Sequence, residues 1–336
     1  MKLSLHHEHL LAEDLGVSGG LVQIAPSVSG IAVGQVAEAV PELRGVALGH
    51  QAYPDPALRP GCDLDLLVLP QDVPRAREVL EGPDYRCLAK RYEVAKDFFR
   101  DEDFVHKHDS NRNRVVDLHW SQWELHPFWE GTGEEALKGL FRRAVRIDTS
   151  AVSFETLHPV DALVHAAIHL GVIHNRDVRL IWVCDIARLA GLLHEREDWQ
   201  ALQQRSVLWR GRLALEACLK MAQVWCGAQL PEAVRDYTLW PEPTPDEALV
   251  WSHAFRDHWA TLLVRQCLTG PLGLKRALGS LLHVLFPDPE IMRHCYPPPR
   301  SWLLPLSYVQ RWHTWFRELV TSRIMPQARR SALSEG

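Results

Sequence analysis

Two aspartates stand one residue apart inside an apolar run, "RPGCDLDLLVLP", as Asp63 and Asp65. Side chains alternate along a strand, so this pair projects from one face while Leu64 and Leu66 turn to the other. Taking carboxylates out of water costs on the order of several kcal/mol each, and two so close repel unless a cation lies between them. A donor set made of oxygens suits Mg2+ or Mn2+ better than zinc. A third carboxylate, Asp117, sits in "RVVDLHW" between Val116 and Leu118. If the two runs are neighbouring strands, the three aspartates meet at one sheet edge, enough to hold two divalent ions across a nucleoside triphosphate. His119, two residues on, is expected opposite Asp117, packed behind the sheet.

The elements that must position these groups are short. "LDLLVL" and "RVVDLHW" are the candidate strands, and "VPRAREVLEG" between them is a helix with Pro74 in its first turn and Gly82 closing it. A further helix covers "VALGHQAY" and stops at the "PDPALRPG" loop. Gly45 just before it lets a phosphate approach backbone N–H groups, and Arg44 and Arg59 offer charge-assisted bonds to phosphate oxygens.

From His158 onward the pattern is almost wholly helical. "VDALVHAAIHLGVIH", "VRLIWVCDIARLAGLL", "RGRLALEACLKMAQVWCGAQL" (stopped by Pro231), "WSHAFRDHWATLLVRQCL" and "YVQRWHTWFRELVTSRIM" carry apolar residues at helical spacing. The border falls between Ile147 and Pro159, giving an α/β part over 1–148 and a helical part over 149–336. Asp161, His165 and His169 recur every four residues and share a helix face, which Arg179 and Asp185 could meet from the next helix. That face is either a wall contacting acceptor or nucleotide, or a buried polar network between two helices. His165 and His169 also have metal-ligand spacing, but no glutamate follows the first histidine as it does in hydrolytic zinc sites.

Composition narrows the classes. The 336 residues are 46% hydrophobic, an ordinary globular share, and the formal net charge of -5 disfavours a dedicated nucleic-acid binder. Seven scattered cysteines without a Cys-x-x-Cys pair argue against a disulfide framework and a structural zinc site. The thirteen tryptophans fit core anchors and amphipathic surfaces. "MKLSLHHEHLLAEDLG" lacks the form of a secretory signal, and no apolar stretch approaches the ~18 residues of a membrane span. A cytoplasmic protein without membrane contact is expected.

"LRGVALGHQAYPDPALRPGCDLDLLV" followed by "VVDLHW" resembles the bacterial nucleotidyltransferase family of the DNA polymerase β-like superfamily. Its relevant branch has Lys-Gly, a helix, Tyr-x-x-x-x-x-Arg-Pro, Asp-h-Asp-h-h-h and later Glu-Leu-His-Trp. The similarity continues through "HPVDALVHAAIHLG", "RLIWVCDIARL" and "FPDPEIMRHCY", so it spans about residues 41 to 311. The resemblance implies an α+β fold, a small mixed-sheet catalytic domain followed by an all-helical one. It implies Mg2+ and an NTP, with a nucleotidyl or sometimes phosphoryl group passing to a peptide or small-molecule acceptor, as in natural product or capsule biosynthesis. Carried over, Asp63 and Asp65 bind metal, Asp117 completes the site and helps deprotonate the acceptor hydroxyl, and Gly45 with Arg44 cradles the triphosphate. The chain departs from the pattern with Val46 after Gly45, Arg44 where lysine is usual and Asp117 where glutamate is frequent. Two other functions are weighed beside this one. The first is a His-Asp type metal phosphohydrolase built on His108, Asp109, His165, His169 and Asp185, and the second is a catalytically silent nucleotide-binding module.

Overall fold

The computed structural model describes residues 45–59, 63–81, 85–88, 101–107, 115–121, 133–149, 153–174, 178–245, 247–248, 251, 282, 285–287, 289, 292–293, 296, 298 and 300–324. Arg44, His108, Asp109, Gly82 and nearly all of the helix expected over "WSHAFRDHWATLLVRQCL" lie outside them.

The fold is mixed α and β, with a small mixed sheet followed by helices. Helix α1 (Val46–Ala52) precedes strand β1 (Asp63–Leu67), helix α2 (Val73–Leu80) and strands β2 (Tyr85–Cys87), β3 (Asp101–His106) and β4 (Val115–His119). The four strands lie in the order β1-β4-β3-β2. β1 runs parallel to β4, while β3 is antiparallel to both β4 and β2. Helix α2 begins with Pro74 in its first turn, where a missing N–H breaks no helical bond. It turns Val73, Ala76 and Leu80 onto the sheet, against Leu66, Val68, Phe104, Val116, Leu118 and Trp120. This is the face to which Leu66 was assigned by alternation.

Helix α3 (Gly133–Arg143) leads into a hairpin, β5 (Val145–Asp148) and β6 (Ser153–Thr156), across the stretch where the sequence places a border. Helices α4 (Pro159–Ile168), α5 (Leu180–Ala190), α6 (Arg196–Leu208) and α7 (Arg212–Cys226) follow. Short α8 (Glu232–Arg235) and long α9 (Leu304–Ile324) come later. A π-helical turn, His169–Ile173, continues α4. Helix α7 ends at Gly227 rather than at Pro231, because Gly227 adopts the left-handed conformation (φ 65°) that closes a helix at little steric cost. Helix α6 escaped the sequence reading because it is largely polar and turns only Trp199, Leu202 and Ser206 inward; a capping box of Glu195 and Asp198 starts it.

The helices share one core. Leu163, Val164, Ile168, Val183, Ile186, Leu202, Leu215 and Leu219 are buried together with Leu48 of α1, Leu67 of β1 and Leu157. Leu67 shares the strand face of Asp65, so the helical core closes over one end of the face that carries the acids. No helix among the described residues is long and apolar enough to cross a membrane.

Candidate functional site

The site is built by strand register. Asp65 on β1 is the direct partner of Asp117 on β4, and Asp117 is in turn the partner of Asp103 on β3. The next row holds Leu67, His119 and Asp101. One sheet face therefore carries Asp65, Asp117, Asp103, Asp101 and His119 in adjoining rows. Asp63 opens β1, in register with Val115.

His119 corrects the sequence expectation. Positions 117 and 119 are two apart on a regular strand, so they share a face, and His119 lies beside the acids instead of behind the sheet. Its Nε2 is 3.0 Å from Oδ1 of Asp65, and both side chains are buried. Ligand atoms of Asp65, Asp117 and His119 all fall within 4.8 Å of one another, and among the described residues they form the group able to hold a metal ion. Two carboxylate oxygens and one imidazole nitrogen suit a divalent cation of intermediate hardness. The contrast with the other side of the sheet is instructive. There Glu102, fully buried, lies 3.0 Å from Nε of Arg77, a cation supplied by α2.

Gly45 is the residue before α1, at φ 64° and ψ -119°, a conformation that a side chain would strain. The segment from Gly45 to Arg59 precedes β1 in the chain. Arg59 does not stand alone in it. Its Nη2 is 2.9 Å from Oδ2 of Asp185 and its Nε 3.3 Å from Oδ1, a fork closed on a carboxylate of α5. The Tyr53 hydroxyl donates to the same Oδ1 at 2.7 Å. Burial, then the Asp185 charge and hydrogen bond, push the Tyr53 phenol well above its ordinary pKa, so it remains a donor. Arg188, one turn further along α5, lies over the Tyr53 ring at 5.7 Å.

The remaining polar residues of the helical part are dispersed rather than gathered. Asp161 is fully buried on α4 and held by Arg143 of α3, with Nε to Oδ2 at 2.9 Å and Nη2 to Oδ1 at 3.2 Å, and by Nη1 of Arg205 on α6. His165 is buried on the same helix. The π turn then shifts the phase, so His174, five residues after His169, comes to lie over it with ring centroids 4.4 Å apart. Trp182 completes that ring group, 5.3 Å from His169, and Arg179 stacks on Trp182 at 4.8 Å. His169 and Asp185, grouped in the phosphohydrolase alternative, thus belong to two different clusters.

Sequence reasoning missed Asp101 and Asp103. The signal was "DEDFVH", whose first and third positions share a strand face, but aspartate is poor in strands and the run resembles a solvated charge cluster.

Comparison with curated proteins and with solved structures gives no match. A family described as an uncharacterised nucleotidyltransferase matches residues 39–227, which takes in α1, the whole four-stranded sheet and the helices through α7. With more than half of its length matched, including the strands that carry Asp65, Asp117 and His119, the chain belongs to this nucleotidyltransferase family.

Proposed function

We propose that this protein is a metal-dependent nucleotidyltransferase that moves an NMP from an NTP to a hydroxyl or phosphate of a peptide or small-molecule acceptor. The observation that carries the proposal is the gathering of ligand atoms from Asp65, Asp117 and His119 within 4.8 Å on one sheet face. Asp65, Asp117 and His119, joined by Asp63, would hold the divalent ion, Mn2+ or Mg2+. When bound there, a divalent ion neutralises charge on the triphosphate and acidifies the acceptor hydroxyl.

In this reading Gly45 and Arg44 receive the phosphate chain before β1. The acceptor oxygen bonds to the α-phosphorus, the bond from that phosphorus to the bridging oxygen breaks, and pyrophosphate leaves. Asp117 accepts the acceptor's proton. The α/β part (1–148) supplies this chemistry, and the helical part (149–336) closes over it and selects the acceptor. An acceptor met in natural product tailoring suits the resemblance in "LRGVALGHQAYPDPALRPGCDLDLLV".

The test is thermal unfolding of the full chain with MgCl2 or MnCl2, with and without ATP, CTP, GTP or UTP. A bound ligand at one hundred times its Kd stabilises the folded state by about 2.7 kcal/mol. The wild type should gain stability with a cation plus at least one NTP, and the double variant Asp65→Asn, Asp117→Asn should gain none. NTPs labelled at the α or γ phosphorus, incubated with cell extract, then separate nucleotidyl from phosphoryl transfer. A wild type insensitive to every cation and NTP would remove the proposal, while binding without transfer would mark a silent nucleotide-binding module.

A further inference from the structure

The motif Tyr-x-x-x-x-x-Arg-Pro brackets the loop between α1 and β1, and both of its side chains end on one carboxylate far away in the chain. Asp185 accepts from Tyr53 at 2.7 Å and from the Arg59 fork at 2.9 and 3.3 Å. Asp185 is 3% exposed and Arg59 8%, so this is a desolvated joint and not a surface ion pair. The loop it closes is tight: a Cβ on Gly49 would lie 3.2 Å from the Pro56 carbonyl oxygen. Gln51 fastens α1 a second time, donating to the Leu157 carbonyl at 2.8 Å.

These contacts have one geometric consequence. Tyr53 follows the last residue of α1, and Arg59 stands four residues before Asp63. Asp185 therefore ties both ends of the 53–59 segment to α5, whose Val183 and Ile186 share one core with Leu48 of α1 and Leu67 of β1. We infer that Asp185, with Tyr53 and Arg59, is a positioning group for nucleotide binding: it holds the 45–59 segment in register with the metal-binding strand, so the triphosphate meets both at once. The inference rests on the nucleotidyltransferase reading given above. It assigns Tyr53 and Arg59 to the joint rather than to the phosphates, and it makes the helical part a component of the nucleotide site without contact to the nucleotide.

The distinguishing property is selectivity between ligands. A cation alone needs only β1 and β4, which pair directly through the Asp65–Asp117 register. A triphosphate needs the 45–59 segment as well. Loosening the joint should therefore weaken NTP binding and spare the cation.

The experiment uses the full chain, with Mn2+ titrated by electron paramagnetic resonance and the Mg2+ complexes of ATP, CTP, GTP and UTP by calorimetry. Tyr53→Phe removes one hydrogen bond and keeps the ring, so it perturbs the fold less than Asp185→Asn or Arg59→Ala, which break a buried ion pair. The expected result is a Kd about tenfold higher or more for the NTP that the wild type binds, since small misplacements of binding groups have effects of that size. Mn2+ affinity should stay within about twofold, and Arg59→Lys, which keeps charge but loses the fork, should fall between. Leu202→Ala, in the core of α6, controls for plain destabilisation: it lowers Tm and should leave NTP binding unchanged. Wild-type NTP affinity in folded Tyr53→Phe overturns the inference and leaves the nucleotidyltransferase reading standing. Equal weakening in Leu202→Ala overturns it too, as does parallel loss of Mn2+ and NTP binding. A wild type that binds no NTP removes both.

Discussion

Asp161 offers a direct measure of how the helical part is held together. The perturbation is Asp161→Asn, which keeps shape and deletes one charge. The carboxylate is fully buried and sits between Arg143 and Arg205, whose side chains are 35% and 17% exposed. Deleting it leaves two guanidinium groups facing each other, one from α3 and one from α6. At an effective dielectric constant of about 20, two like charges 5 Å apart repel by about 3 kcal/mol, and breaking a buried pair costs about 3–5 kcal/mol. Arg143 can turn toward water, so the expected loss is smaller, about 2–4 kcal/mol. Urea unfolding followed by circular dichroism reads it as a lower midpoint with unchanged slope. Replacing Arg205 by Met in the Asp161→Asn background should recover more stability than replacing Arg143, because Arg205 is the less exposed of the two. NTP binding should be unaffected. A loss under about 0.5 kcal/mol, typical of surface substitutions, would refute this reasoning. So would intact stability with lost nucleotide or acceptor binding, which would return Asp161 to the acceptor wall that its helical spacing allows.

Other outcomes can be checked more briefly. Asp117→Asn should lose most of the rise in Tm that MnCl2 gives the wild type, since Asp117 supplies one of the three ligand atoms that lie within 4.8 Å of one another. Glu247 accepts from the Leu213 N–H at 2.7 Å, inside the first turn of α7, and burial raises its carboxyl above the ordinary value of about 4.3. A raised acid pKa favours the protonated folded form, so this contribution is full below the ordinary pKa and is lost as pH rises through the folded one. Glu247→Gln, which keeps the acceptor, should therefore gain stability at pH 7 and match the wild type near pH 3, by urea midpoint. The Cys218 thiol is fully buried, donates to the Ala167 carbonyl and is pushed up to about 12 by burial, so it should resist maleimide at pH 8 until the chain unfolds. Cys184 and Cys226 have sulfurs 3.7 Å apart, and diamide should take two electrons and two protons from them to leave a disulfide between α5 and α7, seen as one linked peptide by mass spectrometry. That reaction should quicken with rising pH, because burial, followed by its contact with Cys226, pushes Cys184 up to about 11.

Much of the candidate site was visible in a short window. Alternation in "DLDLL" placed Leu66 in the core with α2 and left Asp65 on the opposite face, and "VVDLH" behaved alike. His119 was also visible, since a strand spaces equivalent side chains by two, and the sequence reading misplaced it by not applying that spacing to Asp117 and His119. What no window holds is pairing between distant segments. Arg59 and Asp185 are 126 residues apart, and Asp161 and Arg205 are 44 apart. The partners of a strand or helix face are chosen by tertiary packing, which a local pattern does not encode.

One local signal nevertheless recurs: an aspartate flanked by apolar residues. Asp65, Asp161 and Asp185 all show it, and each is buried. The signal states that a cation or donor must be near; it does not state whose. In the helical part the answer is arginine, twice for Asp161 and once for Asp185 with a tyrosine beside it. Under the sheet it is Arg77 for Glu102. On the opposite face the strand register sets Asp65, Asp117 and Asp103 side by side, with His119 in the next row. Where Asp161, Asp185 and Glu102 meet arginines, ligand atoms of Asp65, Asp117 and His119 converge within 4.8 Å of one another, an arrangement that a divalent ion can occupy. That convergence of ligand atoms, more than the Asp-x-Asp spacing, is what singles this face out as the candidate metal site.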